Sequence, residues 1–194
     1  MGTRGAYGFR INEQDKVNYV QFDSYPSGLG KEVMSYVVQT PVAQMKQVAA
    51  RIVLVHPDST PSRELIQRYS KYTDFGVSKQ SYEDWYCLLR KTQATLFPYN
   101  NDLRHMIDYH DFLFDSLFCE WAYIINLDTE QFEVYKGFNK DASARGRYAG
   151  RSQEDNYGYM GVALIKEIPL ADITKEKVAA FVNELERLIS YPVA

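Results

Sequence analysis

Apolar and polar residues alternate with a period of two from Ala6 to Ile11, where Tyr7, Phe9 and Ile11 stand against Gly8 and Arg10. That period puts one set of side chains on a core face and predicts a strand. Polar Asn12 to Lys16 separates it from a second run, Val17 to Phe22, and the pair reads as a hairpin with a longer loop. Pro26, Gly28 and Gly30 then mark a structured loop that feeds a helix near Lys31. From there the period lengthens. Val33, Tyr36 and Val37 predict a helix over Lys31 to Gln39, and Thr40-Pro41 serves as cap and first residue of a second, with Val42, Met45, Val48, Ala49 and Ile52 inward. Residues Ile52 to Val55 read equally as the end of that helix or as a short strand.

Thr60-Pro61 repeats the cap-plus-proline start for a helix to about Tyr72. Ser81 to Asp84 resembles a capping box, opening a helix through about Ala94 with Trp85, Leu88 and Leu89 inward, and Pro98 to Asn101 breaks the chain. Cys119 to Leu127 is apolar on both alternating faces, as expected of a central strand. Asp128 to Glu130 turns it into Phe132 to Tyr135, a polar loop follows to Tyr157, and Tyr159 to Ile168 forms another strand. Thr174 caps a last helix carrying Val178, Phe181, Val182, Leu185, Leu188 and Ile189 on one face. The expected architecture is a single α+β domain. Its largely antiparallel sheet has about five strands, two N-terminal and three C-terminal, with a central block of helices and a C-terminal helix.

The 194 residues fit one domain. A net charge of -3 gives no general attraction to nucleic acid, which is therefore not an expected partner. No apolar run approaches the ~20 residues of a membrane-spanning helix, and no signal peptide is read, so the expected compartment is the cytoplasm. Cys87 and Cys119 sit in apolar contexts and read as reduced core thiols. The 16 tyrosines are the compositional excess, and tyrosine is favoured at interfaces, so self-association or a protein partner is an alternative to a ligand pocket.

Three constellations carry chemistry. The Gly28-Leu29-Gly30-Lys31 turn enters a helix, where backbone N–H groups favour anions. It departs from a Walker A loop in having Tyr25 at the first glycine position and Glu32 after the lysine. The loop from Lys136 to Arg151 holds Lys136, Lys140, Arg145, Arg147 and Arg151 against Asp141, a local charge of +4. Arg147 and its neighbours with Tyr148 suit phosphate clamping and base stacking. Arg4 and Arg10 join this cluster if the first strand lies beside the later hairpin. The third is His105-Met-Ile-Asp108-Tyr-His110-Asp111, in which neither helix nor strand geometry gathers both histidines with a carboxylate, so no metal site is expected. No cofactor motif is read.

The strand hairpin opening at the chain start, together with the later Trp121 to Tyr135 hairpin, resembles the N-terminal nucleophile hydrolases and class II glutamine amidotransferases. That resemblance implies a nucleophile at the mature N-terminus using its own amine as base. Here position 2 is Gly, which has no nucleophilic side chain, and Thr3 takes the role only if cleavage follows Gly2. The combination GTRGAYGFR with FDSYPSGLG is also similar to uncharacterised proteins of bacteria and their phages, which implies no activity but favours an accessory or counter-defence role in a phage context. The leading expectation is binding of a small phosphate- or nucleotide-containing ligand through Arg4, Arg10, Gly28, Gly30, Lys31, Arg145, Arg147, Tyr148 and Arg151. The alternatives are an interaction protein, or a hydrolase using Thr3 or a histidine base such as His110. Whether the chain is an enzyme is left open.

Overall fold

A computed structural model describes residues 2–76, 81, 83–152 and 156–190, the last two by backbone alone. Strands β1 (Gly5–Ile11) and β2 (Gln14–Val20) form the N-terminal hairpin. The loop between them is shorter than the polar run suggests. Only Asn12 and Glu13 turn the chain, both with left-handed backbone (φ 50° and 61°), and the carboxylate of Asp128 accepts their two N–H groups at 2.7 and 2.9 Å. That external cap lets Glu13 hold a conformation usually left to Gly or Asn.

Residues 26–30 wind into a single wide turn of π-helix and continue into α1 (Lys31–Gln39). α2 (Val42–Arg51) stops one residue before Ile52, and β3 (Val53–Val55) takes the strand alternative. α3 (Arg63–Tyr69) is capped by Ser62, whose Oγ accepts the Leu65 N–H at 3.3 Å, rather than by Thr60. The expected Ser81 capping box includes Tyr82, which lies outside the described residues. α4 (Trp85–Leu88) is capped by Asp84 and is much shorter than its apolar pattern suggests. Pro98 does not break the chain but sits in the first turn of α5 (Phe97–Asn100), where its missing N–H costs nothing. β4 (His105–Ile107) pairs in parallel with β3 as a separate two-stranded sheet.

The later strands are β5 (Trp121–Asn126), β6 (Gln131–Lys136) and β7 (Ala163–Pro169), followed by α6 (Val178–Ser190). Residues 159–162, expected within the last strand, precede it. The side chain of Ile189, expected on the core face of α6, lies outside the described residues. The main sheet has the order β2-β1-β5-β6-β7. Every pairing is antiparallel except β1 with β5, which is parallel and joins the two hairpins into one sheet. β5 is central and wholly buried.

Alternate residues of the sheet serve two cores. Tyr7, Phe9, Trp121, Tyr123, Ile125, Phe132 and Val134 pack with α1, α2 and α6 in the larger one. Ala6, Val17, Ala122, Ile124 and Tyr135 face the other way and meet Leu113, Tyr148 and Val162. The long loop after β6 is therefore a cover for the second face of the sheet. Both cysteines are free and buried. No helix among the described residues is long and apolar enough to cross a membrane.

Candidate functional site

The glycine turn is held by its own backbone. Gly28 and Gly30 direct their N–H groups to the Tyr25 carbonyl at 3.0 and 3.4 Å, and Leu29 directs its own to Asp23 at 2.9 Å. The Lys31 N–H turns back on Pro26 and Gly28. These donors are spent inside the turn. The glycines are needed for space: a Cβ on Gly28 would stand 2.2 Å from the Asp23 carbonyl oxygen, and one on Gly30 would strike the Tyr123 ring. The turn packs on the helical face of the sheet, whereas Arg147 and Tyr148 lie on the opposite face.

The arginines expected to form one cluster have different partners. Arg10 pairs with Asp15 of the neighbouring strand at 3.0 Å. Arg145 pairs with Glu167 of β7. Arg147 is locked to Glu133, a carboxylate 2% exposed, and donates to the Tyr135 hydroxyl at 2.6 Å. Burial pushes the Glu133 carboxyl up, while the Asn126 amide, Arg147 and the Tyr135 hydroxyl pull it back. Tyr148 lies buried beneath the loop, against Tyr135 and Phe114.

Arg4 and Arg151 remain, and with two lysines they define one end of the sheet. Arg4 precedes β1; its carbonyl accepts the Glu120 N–H at 3.0 Å, and the Glu120 carbonyl accepts the Gly137 N–H at 2.9 Å. This short ladder sets Arg4 at the same end of the sheet as the close of β6, one strand apart. The Phe138 N–H donates to the Ser116 carbonyl at 2.7 Å, and Ser116 donates to Met160, so segments 115–120, 137–140 and 156–161 close the same end. Each cation there lies over an aromatic ring. Arg4 covers Phe118 at 4.7 Å, Lys136 lies 4.7 Å from Trp121 and 5.1 Å from Phe138, Lys140 covers Tyr159 at 4.4 Å, and Arg151 covers Phe114 at 5.8 Å. Phe118 and Phe138 are nonetheless 43% and 49% exposed. Among the described residues none of Arg4, Lys136, Lys140 and Arg151 has a carboxylate at ion-pair distance. Burial pushes the Lys136 ammonium down from its ordinary value, with Glu120 opposing.

Arg10 stands at the far end of β1, about 20 Å from Arg4 at the rise of a strand. Sequence reasoning placed both on the first strand but had no means of separating its ends. It also passed over Phe118 and Phe138, whose signal was an aromatic next to a buried cysteine or a glycine, outside any alternating run.

The histidines divide as well. His105 is half-buried, with Nδ1 2.9 Å from the Tyr69 hydroxyl and its ring stacked on Trp85. His110 meets Asp108 through Nδ1 at 2.9 Å and Asp111 through Nε2 at 3.0 Å, so both ring nitrogens face carboxylates. His56, which the sequence did not connect with them, lines the same small cleft with Pro57, Asp108 and Asp111. Among the described residues no group of three or more His, Cys, Asp or Glu side chains is arranged to hold a metal ion. At the chain start, the Thr3 carbonyl accepts the Ser24 N–H at 3.1 Å, and Gly2 lies against the ring of Phe22.

Comparison with known proteins finds no matching family model, no matching curated protein and no matching solved structure.

Proposed function

We propose that this protein binds a small anionic ligand carrying an aromatic ring, of which a nucleotide is the fitting class, at the cationic and aromatic end of its sheet. The observation that carries this reading is the set of cations toward one end of the sheet, Arg4 just before β1, Lys136 closing β6, and Lys140 and Arg151 in the long loop, each over an aromatic ring. A cation held over a ring keeps its charge available, because the ring satisfies it only weakly, by about 0.5–1 kcal/mol at an exposed site. Lys136 is the most committed of the four, since its ammonium also donates to the Glu120 carbonyl at 3.3 Å. Phosphate oxygens offer such a cation a stronger, charge-assisted contact. The half-exposed rings of Phe118 and Phe138 suit stacking by a base, worth ~1–3 kcal/mol per base.

The test is a thermal-shift series with a nucleoside monophosphate, the matching nucleoside and inorganic phosphate, each at low and high salt. Binding to the native state raises apparent stability by mass action. The nucleotide should stabilise more than either half, and salt should weaken the effect. Equal responses to all three, or none, would count against this reading.

A second reading rests on a different observation. Phe118, Phe138 and the 84% exposed Tyr157 lie in the segments that close this end, and exposed aromatics interleaved with arginine characterise protein interfaces. Concentration-dependent mass by light scattering, abolished in Phe118→Ser/Phe138→Ser, would favour self-association there; a constant monomer mass would not.

A further inference from the structure

On the helical side of the molecule, sharing no residue with the cationic and aromatic end, a groove of about 530 Å³ runs between α1 and the start of α6. Lys31 and Ser35 of α1 line it with Val38 and Gln39, and Lys175 and Val178 line the other side. We propose that this groove is a binding site for a phosphorylated polyol, a sugar phosphate being the simplest member of the class.

Charge sets the first half of that assignment. Lys31 and Lys175 are both exposed, and among the described residues neither has a carboxylate at ion-pair distance. Glu32, next in sequence to Lys31, lines a different cleft with Asp23 and Asp74. Two ammonium groups at one groove match a phosphate monoester, which carries close to two charges at neutral pH. The groove also borders the first residue of α6, a helix of 13 residues whose positive dipole end adds to the same field.

Hydrogen-bond capacity sets the second half. The Ser35 hydroxyl spends its proton on the Lys31 carbonyl at 2.8 Å, and the Gln39 amide donates to the Ser35 carbonyl at 3.2 Å. Ser35 Oγ and Gln39 Oε1 are therefore left as acceptors, with one Gln39 amide N–H still free to donate. Neutral acceptors beside two cations call for a ligand that is anionic at one end and rich in hydroxyl donors at the other. The two valines and the lysine stems give an apolar wall for its C–H face. Among the described residues no aromatic ring lines this groove, so a nucleobase finds no stacking partner here, which separates this site from the one proposed above.

The experiment is a ¹H–¹⁵N NMR titration of the whole protein with glucose 6-phosphate, and with glucose and inorganic phosphate as its separate halves. Glucose 6-phosphate should shift the amides of Lys31, Ser35, Gln39 and Val178, and each half alone should act more weakly. Lys31→Met and Lys175→Met keep the apolar stem on an exposed side chain, and each should weaken binding about tenfold or more, the value of one charge-assisted contact. Arg4→Ala should leave the affinity unchanged. No amide shift at ~10 mM ligand, well above a useful dissociation constant, would overturn the proposal. So would shifts confined to residues near Arg4 and Lys140, or an affinity untouched by both lysine substitutions.

Discussion

Arg147 grips the buried carboxylate of Glu133 with both terminal nitrogens, Nη1 donating to Oε1 at 3.0 Å and Nη2 to Oε2. Glu133 projects from β6 into the second core, where the Asn126 amide donates to Oε1 at 2.7 Å and the Tyr135 hydroxyl to Oε2 at 2.9 Å. All the donors around this carboxylate are therefore supplied by the fold. The pair fastens the long loop to the sheet, and that fastening brings Arg151 and residues 156–161 to the end where Arg4 waits.

Removing one partner of such a pair should be costly, because the other is left charged and buried. Arg147→Ala is expected to lose roughly 3–5 kcal/mol of stability, toward the lower end because the arginine is partly exposed. Glu133→Gln should cost less, since its amide oxygen still accepts from Arg147 and Asn126. Urea unfolding of both variants and of the double variant checks the coupling; a double variant equal to the sum of the singles would show that the two side chains act independently.

Asp128 should govern the first hairpin from more than a hundred residues away. Asp128→Ala strips the carboxylate from the Asn12 and Glu13 N–H groups and is expected to cost about 1–2 kcal/mol, typical of exposed charge-assisted bonds. Adding Glu13→Gly should recover part of it, since glycine accepts a positive φ without help. Chemical denaturation of the single and double variants measures both effects.

His105 supplies a pH dependence. Burial, with Arg68 as the second cause, pushes its pKa below the ordinary value. The Arg104 N–H points to the Tyr69 hydroxyl at 3.2 Å, leaving the hydroxyl proton for His105 Nδ1. The folded state thus favours neutral imidazole, while the unfolded chain takes up a proton near pH ~6.5. Stability from this residue is complete above that pH and is lost as pH falls below it. Melting temperature measured between about pH 7 and pH 5 should fall less in His105→Gln than in the parent. Equal slopes would contradict the assignment.

Gly28 is a requirement of packing. Gly28→Ala drives a methyl into the Asp23 carbonyl and should cost about 1–3 kcal/mol or more, seen as a melting temperature lowered by roughly 2–4 °C per kcal/mol. A melting temperature unchanged from the parent would show that the turn yields.

What the sequence made legible follows from how local each signal is. The alternation of Tyr7, Phe9 and Ile11 and the two apolar faces of β5 are local, and they located the strands on which the sheet is built. The stripe on α1 is likewise local, and its bounds match. The turn at Asn12-Glu13 was misread as part of a longer loop because its cap, Asp128, belongs to another hairpin. α4 ended early because Trp85 and Leu88 meet the core in a single turn, after which tertiary packing decides the path. The arginines illustrate the same limit. Their number in the loop is visible in the chain, but Asp15, Glu133 and Glu167, which take three of the five singled out, are brought to them only by sheet register.

The most direct test of the proposed binding end is calorimetric titration of the parent protein with the nucleoside monophosphate that stabilises it most, repeated with Arg4→Ala, Lys140→Ala and Arg10→Ala. Arg4→Ala and Lys140→Ala should each weaken binding by about tenfold or more, while Arg10→Ala, whose charge is committed to Asp15 at the other end of β1, should bind as the parent does. Binding that survives the first two substitutions unchanged, or that is lost in Arg10→Ala alone, would contradict the account.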